Sequence, residues 1–391
     1  MHAAKLNAPA DSRNKPPHTD PRVAHRIKCP LRGISVFFFM GNKTRNIFFF
    51  FGLVAIVIMI LTFKVSFVTL WNDLKRAGYW LIPILCLWLV LYVMNAWTWR
   101  IIIKGSGDCP VSFWRLLKVT ISGFALNYAT PGGLMGGEPY KIMEMKPYIG
   151  VQRATSSVVL FGMMHIFAHF WFWATAVMLY VILMPVNVTM GILLFCIACF
   201  CALGIYLFVK GYKNGMVVKI IHFIGRIPGL KKWAAKFEAN HQNDLQNIDN
   251  QISQLQSQNK KSFYGSFALE FVGRYMQCLE IYFMLQMFTD ADDILLHAIF
   301  ILAFTSLFAN LLFFLPLQLG GREGGFAMST SSLNLPGEVG IFISIICRVR
   351  ELFWTAIGLA LIKVGNNKET GIRSFADLRQ PKDEPPPQKE L

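Results

Sequence analysis

Charge is what this chain has least of: 15% of its 391 residues are Asp, Glu, Lys or Arg, whereas 54% are hydrophobic and 34 are Phe. A soluble domain of that size could not bury so much apolar surface, so the composition places the chain in a bilayer. No GxxxxGK[ST] run is present, which argues against an ATPase, and "STSS" and "SLNLPG" offer hydroxyls without a nucleophile elbow. No small-residue cleavage site follows the long basic leader, and the first apolar run is full length, so Ile47 to Phe63 reads as a retained span. The net charge of +16 comes without an aromatic-basic module and lies in tails and loops between spans, so positive-inside topology and anionic headgroups account for it and no nucleic-acid partner is expected. Most of the eight cysteines fall in apolar windows, where Cys196-x-x-Cys199 reads as small hydrophobes rather than a redox or metal pair.

What is present in quantity is long apolar helix. A hydrocarbon core about 30 Å thick needs roughly 20 apolar residues to cross it. The windows Ile47 to Phe63, Tyr79 to Trp99, Ser156 to Met184, Val188 to Val209, Ser262 to Phe288, Leu295 to Leu317 and Val339 to Ile362 are candidates. The first 46 residues carry nine Lys or Arg against two Asp, with five prolines, and read as a disordered cytoplasmic tail. With that tail inside, the basic Lys210 to Lys261 stretch also falls inside, and Val111 to Gly150 must enter the membrane and return to the same face. If Leu295 to Pro336 does the same from the other side, both termini are cytoplasmic; a full seventh span would leave the tail outside.

Internal similarity favours two hairpins. "FALNYATPGGLMGGE" (Phe124 to Glu138) and "FANLLFFLPLQLGGRE" (Phe308 to Glu323) share Asn, Pro, Gly-Gly and Glu in order, with seven residues from Pro131 to Glu138 and from Pro316 to Glu323. Units starting from opposite faces would form an inverted repeat of the kind secondary transporters use. Irregular backbone survives at membrane depth only where it lines a cavity or ligand, so the breaks predict a cavity. Their glycines permit close approach, and freed helix N-termini suit phosphate. The expected fold is therefore all-α: a 47–362 polytopic membrane domain of about six full spans and two re-entrant hairpins, between the 1–46 tail and a charged 363–391 tail. The 211–261 insertion joins a leaflet-lying basic helix to an amphipathic one around Asn240 to Gln258.

Charges inside spans mark candidate function, since intramembrane Arg and Glu are expensive. Glu270 and Arg274 lie four apart on one helix face, and Arg348, Arg350 and Glu351 interrupt the last window. They can bind a ligand or form structural pairs. His165 and His169 share a face, but no carboxylate or Cys stands at ligand spacing in the sequence, so interhelical hydrogen bonding is expected rather than a metal.

The "N…PGG…GGEPYK" run with the following "A…SVVLFGMMH" helix, and the later "LPLQLGGREGGFA…R" run, resemble the flippase-like integral-membrane family, which includes the membrane region joined to MprF-type lysylphosphatidylglycerol synthases. The resemblance covers roughly Ile47 to Ile362 and implies translocation of a lipid or lipid-linked headgroup. Positions matching the motifs are Asn127, Pro131, Gly132, Gly137 and Glu138, then Pro316, Gly320, Arg322, Glu323, Gly324 and Gly325, with Arg348 later. Gly133, Gly136, Lys141, Glu270, Arg274 and Gly321 complete the candidate substrate-binding set. Arg274, Arg322 and Arg348 are expected to hold phosphate, Glu138, Glu270 and Glu323 a cationic group or proton, and the glycine breaks to supply backbone donors. The soluble synthase domain of such proteins is not in this sequence, so the substrate stays open among phospholipid, aminoacyl-phospholipid and polyprenyl-phosphate types. The expected location is the cytoplasmic membrane, with no cofactor, no metal and no catalytic residue. Expected partners are the membrane lipid and either a second copy or a separate lipid-modifying enzyme. A membrane-embedded transferase using Glu138 or Glu323 as base, or a non-transporting partner of a separate synthase, are the alternatives.

Overall fold

The computed structural model describes residues 67–129, 136–213, 226, 242–243, 245–246, 250, 260–288, 293–312 and 321–363. The N-terminal tail, the Ile47 to Phe63 span, most of the 211–261 insertion and all but the first residue of the C-terminal tail lie outside the described residues, as do Pro131, Gly132, Gly133, Pro316 and Gly320.

Every long element among the described residues is an α-helix: α1 (Phe67–Ala77), α2 (Leu81–Gly105), α3 (Phe113–Ala129), α4 (Gly137–Ile149), α5 (Val151–Leu183), α6 (Val188–Lys213), α7 (Lys260–Leu285), α8 (Ile294–Leu311), α9 (Gly321–Ser332) and α10 (Gly337–Lys363). The all-α expectation holds. Four stretches are long and apolar enough to cross a membrane: Trp71–Gly105, Val151–Leu183, Val188–Lys210 and Ile294–Leu311. Helices α7 and α10, with 26 and 27 residues, have the length as well. Their polarity comes from charges turned inward, since Glu270, Glu280, Arg348, Arg350 and Glu351 are all buried. The sequence reading assigned Lys64 to Gly78 to a simple link, but most of it folds as α1, which packs on α10.

Local chemistry sets the helix ends. The Asn187 side chain caps α6 by accepting from the Met190 N–H at 2.8 Å. Gly150 takes φ 79° between α4 and α5, where a side chain would be strained. Helix α9 stops at Asn334, which adopts φ 57° while the Leu335 N–H returns to the Thr330 carbonyl at 3.0 Å. Pro336 then prevents continuation.

The two similar sequence units fold alike. Helices α3 and α4 pair across residues 130–135 and run into long α5; α8 and α9 pair across residues 313–320 and run into long α10. Helices α2 and α7, which precede these units, form the most extensive helix–helix contact of the bundle. The seams between units are unequal: α3 lies along α10 far more extensively than α5 along α8.

Candidate functional site

The first break is tied across itself by Asn127. Its Oδ1 accepts the Gly137 N–H at 2.7 Å and its Nδ2 donates to Glu138 Oε1 at 3.1 Å, so one side chain from α3 satisfies the N-terminus of α4. Lys141 closes the group, donating to the same Glu138 oxygen at 3.1 Å with its Nζ over the Phe161 ring. Gly137 is required by packing: a Cβ there would lie 2.7 Å from Asn127 Oδ1 and collide with the Gly123 carbonyl. The corresponding Asn310 donates instead to the Ser306 carbonyl of its own helix at 2.7 Å, so the two motifs diverge in use.

The second unit builds an ionic lattice. Arg322 of α9 pairs with Glu351 of α10; Arg348 holds Glu323 at 2.8 Å and Glu351 at 3.5 Å; Arg350 holds Glu280 of α7 at 2.8 Å and Glu351 at 3.5 Å. Tyr128, next to the capping Asn127, donates to Glu351 and accepts from Arg348, bringing α3 into the lattice. The Arg350 guanidinium also stacks 3.7 Å from the Trp88 ring centroid. Among the described residues three arginines thus meet three glutamates, so the charges of this buried and half-buried group balance.

Glu270 and Arg274, whose spacing allowed a direct pair or division between other partners, take other partners. His165 of α5 sits between them, with Nδ1 2.9 Å from Glu270 Oε2 and Arg274 Nη2 2.8 Å from Nδ1 and 2.6 Å from Nε2. The imidazole therefore contacts both charges, and its tautomer sets which atom donates at each contact. The expected interhelical hydrogen bond is present, and its partner is a carboxylate from another helix. His169 continues the track, its Nδ1 3.0 Å from the His165 carbonyl oxygen. No group of three or more metal-ligating side chains occurs among the described residues.

These networks surround a cavity of about 370 Å³ walled by α2, α3, α5, α7, α8, α9 and α10. Of the sequence candidates, Asn127, Glu270, Arg274 and Arg322 line it. Glu138 and Lys141 lie behind Asn127, and Glu323 and Arg348 lie behind Arg322, within the ion pairs. Gly136 and Gly137 open α4; Gly321, Gly324 and Gly325 occupy the first turns of α9, where Gly325 packs against Thr305. The sequence reading omitted Trp88, Tyr92, Thr98, Tyr128, His165, Gln277 and Ser306 from the wall, and Glu280 from the lattice. Glu280 had a signal, as a carboxylate inside an apolar window; the aromatic and hydroxyl residues had none, because such side chains are common in any buried helix. Four of the buried wall residues carry polar atoms without a hydrogen-bond partner among the described residues: Trp88 Nε1, Tyr92 Oη, Thr98 Oγ1 and Glu270 Oε1.

A protein-family comparison matches residues 49–358 to the lysylphosphatidylglycerol synthase transmembrane region. The chain belongs to that family. The matched range contains both hairpins, the ionic lattice and every cavity-lining residue. Family membership and the apolar helices together make this an integral membrane protein related to lipid metabolism. Comparisons with curated proteins and with solved structures returned no significant match.

Proposed function

We propose that the protein translocates a lipid or lipid-linked anionic headgroup across the cytoplasmic membrane, with both termini on the cytoplasmic side, and that it works as a transporter rather than an enzyme. The observation carrying this reading is the cavity inside an apolar bundle with Asn127, Glu270, Arg274 and Arg322 on its wall. Charged and amide side chains facing a cavity at membrane depth are costly unless a polar ligand or water meets them. Arg274 and Arg322 on the wall supply guanidinium forks suited to phosphate, while Glu270 suits a cationic substituent or a proton. Arg348 and Glu323 hold Arg322's surroundings in place from behind. The substrate is a phospholipid, aminoacyl-phospholipid or polyprenyl-phosphate type, and a second copy or a separate lipid-modifying enzyme is the expected protein partner.

The test is reconstitution into liposomes carrying fluorescent anionic, zwitterionic or polyprenyl-phosphate lipids, with access of a membrane-impermeant quencher as readout. Protein-dependent access for one class, reduced at least about tenfold in Arg274→Gln, is the expected result. Full transport by well-folded Arg274→Gln protein overturns the phosphate assignment. Formation of a lipid product by detergent-purified protein overturns transport in favour of the transferase alternative.

A further inference from the structure

A second cavity, of about 230 Å³, lies on the other side of α8, between α5, α6, α8 and α9. Its wall is built by repetition. Helices α5, α6 and α8 each present positions i, i+3, i+4 and i+7, starting from Trp173, Met190 and Phe300 respectively. Each stripe covers two turns, about 10.5 Å at 1.5 Å per residue. Ala176 and Ala303, the small residues at i+3 on α5 and α8, leave the hollow between the larger side chains. The lining is overwhelmingly apolar, and the seam related to this one by the repeated units has no such gap. There α3 and α10 are in close contact: Ser122 Oγ donates to the Gly358 carbonyl at 3.0 Å, and a Cβ on Gly358 would stand 2.6 Å from Ala125 Cβ.

The apolar groove and the polar cavity lie on one track. His165, His169, Trp173 and Val177 follow one another every four residues along α5, the first two facing the cavity and the last two the groove. The two walls touch where Trp173 Nε1 of the groove donates to Ser306 Oγ of the cavity at 2.9 Å, and where the Thr305 and Ser329 hydroxyls stand 3.4 Å apart. An apolar hollow within a bilayer forfeits dispersion contacts unless hydrocarbon fills it, and smaller apolar cavities than this one bind hydrocarbon ligands. A headgroup site whose wall is bonded to that of a hydrocarbon site has the chemistry of one amphiphile.

We propose that this groove holds an acyl chain of the same lipid whose headgroup occupies the polar cavity, with the Trp173–Ser306 hydrogen bond where the two walls touch. This rests on the lipid-headgroup reading of the polar cavity. The groove then grips hydrocarbon while the ionic wall handles phosphate, and filling the groove impairs lipids in proportion to their chains and leaves the bare headgroup untouched.

The experiment uses the full chain in liposomes containing phosphatidylglycerol with a diazirine midway along one acyl chain. Photolysis is expected to label peptides of α5, α6 or α8 that line the groove, and Arg274→Gln is expected to lower that labelling about tenfold, because headgroup and chain arrive together. Ala303→Trp is expected to lower both labelling and translocation about tenfold, while binding of soluble glycerophosphoglycerol is retained. Leu193→Trp, placed at the exposed lip on α6, fills the same space and serves if Ala303→Trp does not fold. Groove labelling unchanged in Arg274→Gln means bulk lipid fills the hollow, which overturns the proposal and leaves the transport reading intact. Wild-type translocation by folded Ala303→Trp or Leu193→Trp overturns it as well. Arg274-dependent labelling without any translocation by the unmodified protein supports the two-part site and refutes transport.

Discussion

Replacing Glu351 with Gln tests the ionic lattice at its centre. The Glu351 carboxylate is 2% exposed as a residue and faces Arg322, Arg348 and Arg350 together with the Tyr128 hydroxyl. Glu280 and Glu323 remain in the variant, held by Arg350 and Arg348, so two carboxylates face three guanidiniums and Arg322 loses its ion-pair partner. Removing one member of a buried pair leaves an uncompensated charge and costs about 3–5 kcal/mol. Larger domains lose about 2–4 °C of melting temperature per kcal/mol, so a fall of roughly 6–20 °C is expected. Intrinsic fluorescence of the ten tryptophans during heating of detergent-purified protein provides the assay. The double variant Glu351→Met with Arg322→Met removes charge of both signs and is expected to recover most of the loss, since apolar replacement of a buried pair is often neutral or better. Glu338→Gln is the control: that side chain is 82% exposed and 3.8 Å from Arg76, a pair worth at most about 1 kcal/mol. A loss below about 1 kcal/mol in Glu351→Gln, or a double variant no more stable than the single, refutes the view that charge balance holds these helices together.

Glycine substitutions separate close packing from spacing. Gly137→Ala drives a methyl into Asn127 and the Gly123 carbonyl, so a loss of about 1–3 kcal/mol and reduced expression of folded protein are expected. Gly162→Ala meets nothing within 4 Å and is expected to stabilise through helix propensity, by about 1 kcal/mol at most, and so to raise the melting temperature. His165→Gln is expected to keep the Arg274–Glu270 bridge, since an amide offers one donor group and one acceptor as neutral imidazole does; His165→Leu leaves both charges without it. The difference is read as transport and thermal stability retained in the first variant and lost in the second; equal behaviour of the two removes the bridging role. Asn127→Asp keeps an acceptor for the Gly137 N–H but faces Glu138 with a like charge, so it is expected to destabilise more than Asn310→Asp, whose side chain bonds only its own helix carbonyl among the contacts described. Thermal scans of the two variants side by side provide the check.

Much of the fold was legible because helices in lipid announce themselves locally. Long apolar windows in this chain became α2, α5, α6, α7, α8 and α10, and the stretches where Gly and Pro cluster fell between α3 and α4 and between α8 and α9, since clustered helix breakers are poor helix formers while single ones such as Gly162 and Pro147 are tolerated within helices. The α1 helix was missed because its charged residues, among them Asp73, Lys75 and Arg76, read as a solvent link until its packing on α10 was visible. The candidate site was legible by residue type: intramembrane Glu270, Arg274, Arg348, Arg350 and Glu351 stood out on expense alone, and Arg322 through the family resemblance.

Partnership was not legible. The i, i+4 spacing of Glu270 and Arg274 permitted a direct pair, but His165, 105 residues away from Glu270 in sequence, came between them. The two Asn-Pro-Gly-Gly-Glu units promised equal roles, yet Asn127 caps the facing helix and Asn310 does not. The sequence by itself determined that helices would form, where they would break and which side chains could not be left to lipid, because those are properties of one segment against its solvent. Only the tertiary structure decided which charges neutralise one another, which wall is polar and that a second hollow is lined with hydrocarbon. Those depend on contacts such as Tyr128 to Glu351, across 223 residues, that no local periodicity encodes.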